Sequence, residues 1–362
     1  MKDRVPLYPG RVKLNPVAGQ TNVYDLIRAD QPQQEGTPLN KATLLTDATA
    51  EAIGLTGDPT VNDALYALMR NIQPAVLNVY TIPSSTVKAT LDNTVVTASS
   101  NAQGKATLKL YQFGTWTITI TTSSNTITKS LVVDKISTYT LAAVTSLEET
   151  SWTTISALAE AGVASEVWSL GDTKTITVNG ISYTVQIIGF DHDIKTDGTK
   201  AAITFQMVDC LATKYKYNNV MLKSYTWTNS TMRTSILPSI LRQLPSDLQS
   251  VIKIIKKTTG SRSYSQSGGS VNTTTETTEH LFLLSSVEVT GSTLSTITGE
   301  GARYPWYAAG NSRIKKVNNT ATAWWLRSPT KHQNTVQMIT YEGGESSTDP
   351  ISEWGLSFAF CV

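Results

Sequence analysis

The sequence is poor in charged residues. Charged side chains make up 16% of the 362 residues, against about 25% in a typical soluble protein, and the formal net charge is only +2. Proteins that bind nucleic acid usually present a clustered basic face, so we expect no DNA or RNA partner. Two short basic runs, Lys253–Lys257 and Arg313–Lys316, are most simply interpreted as solvated strand or loop surfaces.

Cysteine and long apolar runs are also scarce. The two cysteines, Cys210 and Cys361, form no CxxC pattern, which argues against a disulfide scaffold or a zinc site. Both lie in apolar runs, which predicts buried free thiols. No apolar run approaches membrane-spanning length, and the initial MKDRVPLYPG has no apolar signal core. We therefore expect a protein that is made in a cytoplasm and does not insert into a membrane.

Motifs for catalysis or metal binding are missing. The sequence has no HExxH, GxSxG, P-loop or dinucleotide-binding glycine pattern. The Asp191-His192-Asp193 stretch lacks the further carboxylates of a calcium loop, so we interpret it as a polar turn. A carboxylate pair for glycoside hydrolysis stays open, because nothing singles out particular Asp or Glu residues. We predict no enzymatic activity, no cofactor and no metal site.

Threonine-rich alternation is what the sequence has instead. Residues 75–143 contain seven short runs of alternating or β-branched residues at roughly ten-residue spacing, separated by turn residues. In GTWTITIT, Trp116, Ile118 and Ile120 face one side of a strand and the threonines face the other. This pattern predicts an immunoglobulin-like β-sandwich, which we interpret as a spacer.

Residues 1–73 are short elements with frequent prolines. A first helix is expected from near Pro38 to Gly54, and a second with Asp58 as its N-cap and Pro59 as its first residue. The apolar positions of the second helix form one stripe: Val61, Leu65, Leu68, Met69 and Ile72. The stripe is too short for a stable coiled coil alone, and either packs against copies of itself or against a larger assembly. We predict an attachment and oligomerisation region.

Residues 150–362 predict one α+β domain. Asn179-Gly180 marks a hairpin, Ala201–Asp209 continues its sheet, and one or two helices follow between residues 229 and 252. Residues 260–279 form a polar stretch that we expect to be a functional or disordered loop. The EHLFLLSSVEV stretch predicts a strand, and two more strands close the domain.

Adjacent tryptophans in AWWLRSP raise a specific question. Successive side chains of a strand point to opposite faces, so Trp324 and Trp325 cannot share one. One is expected in a core, and the other lies either in a second layer of packing or on a binding surface. Arg327 either braces a carboxylate through its planar fork or contacts a partner.

Six motifs occur in order over some two hundred residues: WSLGDTKTITVNGISYTVQIIGFDHD, WTNSTMRTSIL, LFLLSSVEVTG, GEGARYPWYA, AWWLRSP and GLSFAFCV. Together they resemble a family of bacterial and phage C-terminal domains related in fold to C-type-lectin-like domains and to the formylglycine-generating fold. The N-terminal RVPLYPGRVKLNPV and YDLIRADQPQQEGTPLNKATLL resemble the opening region of tail-fibre and receptor-binding proteins of phages that infect Firmicutes. The resemblance implies a mixed, multidomain fold: residues 1–73 for attachment, 75–143 as sandwich, and 150–362 as C-type-lectin-like domain.

The same resemblance implies a phage tail receptor-binding protein. Such a protein is a homotrimer, contacts other tail or baseplate proteins, and binds a glycan or protein receptor on the host exterior after assembly in the host cytoplasm. Two alternatives remain open, a structural tail or baseplate protein and a tail-associated polysaccharide depolymerase. A lectin-like fold binds through loops, and we expect segments 303–313, 331–335 and 341–354 to be neighbouring loops on one side of the domain. The candidate receptor-binding residues are Tyr304, Trp306, Tyr307, Asn311, Trp325, Arg327, His332, Asn334 and Trp354.

Overall fold

The protein is rich in β-structure, as its composition predicts. A computed structural model describes residues 5–8, 10–29, 32–34, 45–123, 125–144, 146–221, 226–264, 270–292, 299–330 and 334–362. Strands account for 40% of the described residues and helices for 17%, and the strands form several small sheets. The chain divides into two compact units. The first comprises Met1–Ala75, Leu110–Phe113 and Val133–Ile136, and the second comprises Val76–Lys109, Gly114–Val132 and Ser137–Val362.

Among its described residues, the first unit contains two small antiparallel strand pairs and two helices. Its elements are β1 (Val5–Pro6), β2 (Val12–Pro16), β3 (Tyr24–Arg28), β4 (Pro32–Gln34), α1 (Asp47–Ala52) and α2 (Val61–Ile72). Strand β1 pairs with β4, and β2 pairs with β3. Thr60, rather than the predicted Asp58, is the N-cap of α2, because Thr60 and Asp63 exchange hydrogen bonds in a capping box. The predicted helix start at Pro38 lies outside the described residues.

Helix α2 turns its small side chains toward its own unit. Ala64 and Ala67 are buried, and Ala64 packs with residues of α1 and the preceding turn. Leu65, Leu68 and Met69 are each about half exposed. An amphipathic helix ordinarily buries its large apolar stripe, so this orientation leaves most of the predicted stripe without cover from the unit itself.

Seven strands between residues 75 and 142 confirm the strand count predicted for this region. They are β5 (Ala75–Tyr80), β6 (Thr86–Leu91), β7 (Thr94–Ser99), β8 (Lys105–Leu110), β9 (Gly114–Thr121), β10 (Thr126–Val133) and β11 (Thr138–Ala142). One sheet has the order β10-β9-β6-β7 and the other the order β11-β5-β8, in which β5 and β11 run parallel. Trp116, Ile118 and Ile120 are fully buried, as their alternation with threonine predicts.

Residues beyond 150 contribute fifteen strands among the described residues. They are β12 (Thr173–Val178), β13 (Ile181–Phe190), β14 (Ile194–Lys195), β15 (Ile203–Met207), β16 (Tyr215–Lys216), β17 (Ile255–Tyr264), β18 (Ser270–Glu279), β19 (Leu281–Phe282), β20 (Lys315–Val317), β21 (Thr320–Thr322), β22 (Trp324–Pro329), β23 (Val336–Ile339), β24 (Glu345–Thr348), β25 (Glu353–Trp354) and β26 (Ala359–Cys361). The largest sheet has the order β12-β13-β15-β26-β19, and two three-stranded sheets have the orders β14-β17-β18 and β22-β23-β24.

Short helices connect these strands. They are α3 (Trp152–Glu160), α4 (Ala164–Val167), a π-helix (Met232–Ile236), α5 (Leu237–Leu241), α6 (Ser246–Gln249), α7 (Ser286–Thr290) and α8 (Pro305–Ala308). None of the described helices has the length and apolar character needed to cross a membrane.

The five-stranded sheet confirms the predicted hairpin. Asn179 and Gly180 both have positive φ, 49° and 77°, as a two-residue type I′ turn requires, and β12 pairs antiparallel with β13 around them. Strand β15 joins β13, and β26 inserts between β15 and β19. The last strand of the sequence therefore lies inside the sheet.

Residues 75–143 and 150–362 fall almost entirely in the same compact unit. Gly104 shows how closely the two regions approach. At its φ of +74°, an added Cβ would lie 2.0 Å from the Thr81 carbonyl oxygen and 2.9 Å from the Thr154 hydroxyl of α3. The boundary predicted between these two regions stays a prediction.

Two elements differ from the sequence-based expectation. The polar stretch 260–279 is mostly a hairpin, because β17 and β18 pair over ten positions from Ile255–Glu279 to Tyr264–Ser270. Threonine suits a pleated, half-exposed strand, which explains how so polar a segment forms a ladder. The second difference is α7, where a strand was expected. Ser285 and Glu288 form a capping box that starts this helix.

Strand β22 answers the question raised by the paired tryptophans. All of its residues are buried, so both of its faces are covered. Trp324 and Trp325 belong to two different apolar clusters and are both fully buried. The Trp324 core includes Ile188, Phe282, Leu284, Tyr304 and Tyr307, and the Trp325 core includes Trp152, Phe205, Tyr217, Phe358 and Phe360. The second tryptophan thus lies in a second layer of packing, and β22 separates the two cores.

Two lysines of the basic runs are buried, contrary to the expectation of solvated surfaces. Lys257 and Lys315 have almost no accessible side-chain surface. The Lys315 ammonium donates hydrogen bonds to the carbonyl oxygens of Met207 and Val208, and burial lowers its pKa to about 8. Strand alternation sends one lysine of each run inward. Cys210 and Cys361 are buried free thiols, as predicted.

Candidate functional site

A cavity of about 360 Å3 in the second unit lies beside a cluster of buried charged side chains. Its polar lining comes from elements far apart in the sequence. Asp193 follows β13, Lys257 lies on β17, Glu288 on α7 and Arg327 on β22. We call these four residues, together with Tyr304, the buried charge network.

Lys257 lies at the centre of the buried charge network. Its ammonium nitrogen is 2.5 Å from Asp193 Oδ1, 2.8 Å from Glu288 Oε1 and 2.8 Å from the Tyr304 hydroxyl. It also lies 4.2 Å from the centroid of the Phe282 ring, a favourable cation–π distance. All three N–H groups of the lysine are thereby donated to protein acceptors.

Asp193 is surrounded by donors. It accepts hydrogen bonds from the Thr204 hydroxyl at 2.6 Å, the Tyr304 hydroxyl at 2.8 Å and the Cys361 thiol at 3.4 Å. Burial alone would raise its pKa, but the Lys257 charge and the hydrogen bonds from Lys257 and Thr204 outweigh burial and hold the pKa well below its usual range. The stretch interpreted as a polar turn therefore ends in a buried, ionised carboxylate.

Arg327 braces a carboxylate, which was one of its two predicted roles. Its Nη1 lies 2.5 Å from Glu288 Oε2 and its Nη2 lies 3.0 Å from Glu288 Oε1, a bidentate pair. Burial would raise the pKa of Glu288, but the positive charges of Arg327 and Lys257 lower it by more than burial raises it. The carboxylate therefore stays ionised. The remaining guanidinium hydrogens go to the Thr259 hydroxyl and to the carbonyl oxygens of Leu283, Thr258 and Glu300.

The buried charge network is saturated. Every N–H of Lys257 and Arg327 is donated to a protein acceptor, and both carboxylates accept several hydrogen bonds. A general acid or base needs a hydrogen-bond position that a substrate can occupy. This arrangement instead joins β17, α7 and β22 through buried ion pairs and hydrogen bonds.

Glu300 lies beside the buried charge network, but its pKa is raised, whereas the pKa values of Asp193 and Glu288 are lowered. It is fully buried. Its carboxyl oxygens accept a 2.7 Å hydrogen bond from the Gly260 amide and a second hydrogen bond from the Ser328 hydroxyl. Burial raises its pKa to about 7, although the nearby Arg327 and these hydrogen bonds oppose the shift. This carboxyl therefore changes charge near neutral pH.

We expect Glu300 to make folding stability fall as pH rises. The folded state keeps this proton up to about pH 7, whereas an unfolded glutamate loses it near pH 4.5, so the folded state binds more protons between these values. Stability from this group is fully present below pH 4.5 and is lost as pH rises to 7. At roughly 1.4 kcal/mol per pKa unit, the loss is ~3 kcal/mol.

Glu300→Gln keeps the shape of the side chain and removes its titration. The difference in unfolding free energy, variant minus wild type, should therefore rise by ~3 kcal/mol between pH 4.5 and pH 7. Urea unfolding of both proteins at a series of pH values measures this difference and cancels the titration of all other groups. A difference that stays constant with pH would contradict the prediction.

Four of the predicted receptor-binding residues are interior residues. Tyr304, Tyr307, Trp325 and Arg327 have at most 1% of their surface exposed. The Tyr307 hydroxyl donates a 2.6 Å hydrogen bond to Gln206, and the Trp325 indole nitrogen donates to the Tyr215 carbonyl. A receptor cannot reach side chains without accessible surface, so we reassign these four residues to the core. Their polar tips serve internal hydrogen bonds, a role that sequence composition cannot distinguish from recognition.

The other predicted residues lie nearer the surface. Trp306, Asn311, Asn334 and Trp354 are partly exposed, and His332 lies outside the described residues. The Trp306 ring packs on Gly171, where an added Cβ would lie 2.5 Å from the ring. Asn311 and Trp306 are brought together by a 2.9 Å hydrogen bond from the Asn311 amide to the Trp306 carbonyl oxygen.

Two of the predicted binding segments meet at the surface. Gly343 lies against Arg313 and Ile314, since an added Cβ would approach the Ile314 side chain to 3.3 Å. Ile314 is 44% exposed and Tyr341 is 59% exposed. We call residues 311–314 and 341–344 the paired-loop surface. Sequence reasoning expected these segments to be neighbours but did not single out Ile314 or Tyr341, although each stands in a polar, turn-rich stretch.

Residues 200–362 match a family described as a domain of unknown function (DUF6273). Curated proteins give no match. Solved structures with similarity include a type II cohesin–X-dockerin complex from Acetivibrio cellulolyticus, 18% identical, with a TM-score of 0.16. That match covers 19% of this chain and 51% of the other, so the chain spans about half of the protein that it matches. A TM-score this low carries no argument about fold or function.

The family match covers only part of the site. It includes Lys257, Glu288 and Arg327, but Asp193 precedes its first residue. Strands β12 and β13 also precede it, although they belong to the same five-stranded sheet as β15 and β26. The structural body of the site therefore extends beyond the matched residues. Among the described residues, no three His, Cys, Asp or Glu side chains come together as a metal site would require.

Proposed function

We propose that the chain is a receptor-binding protein of a phage tail. In this proposal residues 150–362 form a C-type-lectin-like domain that attaches the virion to the host surface, residues 75–143 form an immunoglobulin-like spacer, and residues 1–73 attach to other tail or baseplate proteins. The protein acts as a homotrimer in the virion tail, after assembly in the host cytoplasm. Its receptor is a glycan or a protein at the cell exterior.

The paired-loop surface is the observation that supports this proposal most. Its two loops lie in contact and expose Ile314 and Tyr341 beside the polar Asn311. Exposed tyrosine next to small and polar residues is the composition of recognition surfaces, because a tyrosine gives a large contact area while few rotamers are ordered. The saturated network links β17, α7 and β22 within the same unit, and binding residues commonly lie on loops that a rigid body positions.

The same saturation favours binding over catalysis. A depolymerase needs two carboxyl groups that flank a sugar, one of them able to give up a proton. Asp193 and Glu288 are instead buried and fully engaged with Lys257 and Arg327. The paired-loop surface is also mostly polar, whereas permanent interfaces between structural subunits are usually more apolar.

Binding of the fluorescently labelled full chain to intact cells of a panel of Firmicutes strains tests the proposal. We expect saturable binding to at least one strain, and we expect Ile314→Ala/Tyr341→Ala to weaken it about tenfold or more, since a few central residues usually carry most of the binding energy. The matched control is Tyr111→Ala, which removes an exposed tyrosine in the other compact unit and should bind like wild type.

Other results would contradict the proposal in distinguishable ways. Release of soluble sugar from the cells during binding would favour the depolymerase. Absence of binding to every strain of the natural host range would favour a structural tail protein. Equal binding by the double variant and by wild type would exclude the paired-loop surface as the receptor contact.

A further inference from the structure

Exposed apolar side chains are concentrated in the first compact unit. Twelve of the 23 large apolar side chains that are exposed among the described residues lie between positions 7 and 69. They are Leu7, Tyr8, Val12, Leu14, Val23, Tyr24, Leu26, Ile27, Leu65, Tyr66, Leu68 and Met69. Exposed apolar side chains that form a patch commonly mark an interaction site in a soluble protein.

The β2–β3 hairpin exposes apolar side chains on both of its faces. Leu14 and Leu26 are directly opposite each other in the hairpin and are 56% and 69% exposed. Ile27, on the other face, is also exposed. A two-stranded hairpin without a covered face is at best marginally stable in water. Another surface must therefore cover apolar parts of this unit in the working protein.

Helix α2 carries the best-defined part of this apolar surface. Leu65, Leu68 and Met69 are 55%, 45% and 48% exposed, while Ala67 on the opposite side is buried. At 100° per residue, the three large side chains fall within one stripe. Together with Tyr66 they expose on the order of 400 Å2, the size at which apolar patches are usually functional.

We propose that this stripe of α2 is a contact surface between copies of this chain. In the sequence, the apolar positions 61, 65, 68 and 72 follow each other at steps of four, three and four residues, the spacing by which helices pack against one another in a coiled coil. The structure leaves Leu65 and Leu68 of this series exposed, while Val61 packs partly against its own unit. The partner that fits such a stripe is a second copy of the same stripe, with the helices side by side.

The charge distribution on α2 supports a copy of the chain over a partner of different charge. The helix contains only two charged residues, Asp63 and Arg70. Asp63 is engaged in the capping box with Thr60. Asn62, which flanks the stripe in a coiled coil, is uncharged. Copies therefore meet without like-charge repulsion, and nothing on this face selects for a charged partner.

Helix α2 is too short for this contact to hold two copies together by itself. Twelve residues are fewer than two heptads, and helices this short do not hold together alone. The contact must therefore act together with other apolar residues of the unit. This inference deepens the proposed homotrimer by naming its surface, and it does not depend on receptor binding.

Sedimentation of the full chain over a range of concentrations tests the inference. We expect wild type to sediment as an assembly of two or more copies, and Leu65→Glu/Leu68→Glu to shift its dissociation constant at least about tenfold higher, because each copy brings two charges into the contact. The matched control is Val95→Glu/Val132→Glu, which places the same charges at two exposed valines of the other unit and should sediment like wild type.

Cross-linking keeps the inference testable if the charged variant loses its helix. Leu65→Cys should form a disulfide between copies under mild oxidation, whereas Val95→Cys, at a similarly exposed position, should not. The native Cys210 and Cys361 are buried and do not interfere. A monomeric wild-type chain at every concentration, or equal cross-linking of both cysteine variants, overturns the inference. Cell binding by such a monomer would leave the proposed function standing.

Discussion

Replacing Arg327 with methionine is expected to lower the free energy of unfolding of the second unit by about 3–5 kcal/mol, the cost of breaking a buried ion pair. The change leaves Glu288 buried with Lys257 as its remaining cation. It also leaves the carbonyl oxygens of Leu283 and Glu300 without the guanidinium that they face. The loss arises mainly from these uncompensated groups rather than from the attraction of the pair itself. Urea unfolding followed by far-UV circular dichroism measures it.

Two further variants separate the buried pair from charge in general. Lys256→Met removes a surface lysine that lies 3.4 Å from Glu276, where both side chains are exposed, and should change stability by less than about 1 kcal/mol. Glu288→Gln combined with Arg327→Met should recover part of the loss, because the uncompensated carboxylate is then absent. An Arg327→Met protein that unfolds at the same urea concentration as wild type would show that the network is not structural.

Trp324→Ala and Trp325→Ala are each expected to cost about 3–5 kcal/mol, the range for removing a large aromatic side chain from a packed interior. Both rings are fully buried, and each indole nitrogen donates to a carbonyl oxygen, Trp324 to Arg313 and Trp325 to Tyr215. Each truncation therefore leaves a cavity and one carbonyl oxygen without its donor. The midpoint of thermal or urea unfolding measures the effect.

The comparison of the two tryptophans tests the existence of two cores. If β22 had one solvent-facing side, one of the substitutions would be nearly neutral, whereas two cores make both costly. Trp306→Ala is the control, because this ring is only partly buried against Gly171 and its loss should cost clearly less. A neutral result for either Trp324→Ala or Trp325→Ala would contradict the two-core description.

Local patterns were predicted well from the sequence. The Asn179-Gly180 hairpin follows from a turn that needs positive φ at two positions, and the seven strands between residues 75 and 142 follow from period-two alternation. The start of α7 could also have been predicted from the sequence. The Ser285–Glu288 capping box stands in the sequence, but its apolar neighbours favoured a strand.

Burial of charge was not predictable from local pattern. Lys257 is buried because Asp193, Glu288 and Tyr304 converge on it from other elements, up to 64 positions away in the sequence. Tyr304 and Tyr307 were misjudged for the same reason. A tyrosine with a distant buried partner and a tyrosine that faces a receptor have the same sequence signature.

The candidate surface was predicted by segment rather than by residue. Segments 303–313 and 341–354 were expected on one side, and contacts of Gly343 with Ile314 and Arg313 do bring them together. Which side chains point outward depends on how short helices and turns are packed, and α8 directs Tyr307 inward. Only the packed structure fixes that direction.

The parallel pairing of β5 and β11 has a mechanical consequence. These strands open and close the seven-stranded region, and they run side by side from Val76–Thr138 to Tyr80–Ala142. The chain enters at the start of β5 and leaves at the end of β11, so the two points of entry and exit lie at opposite ends of one strand pair. Tension along the chain slides these strands past each other and loads their hydrogen bonds together instead of peeling them apart one at a time.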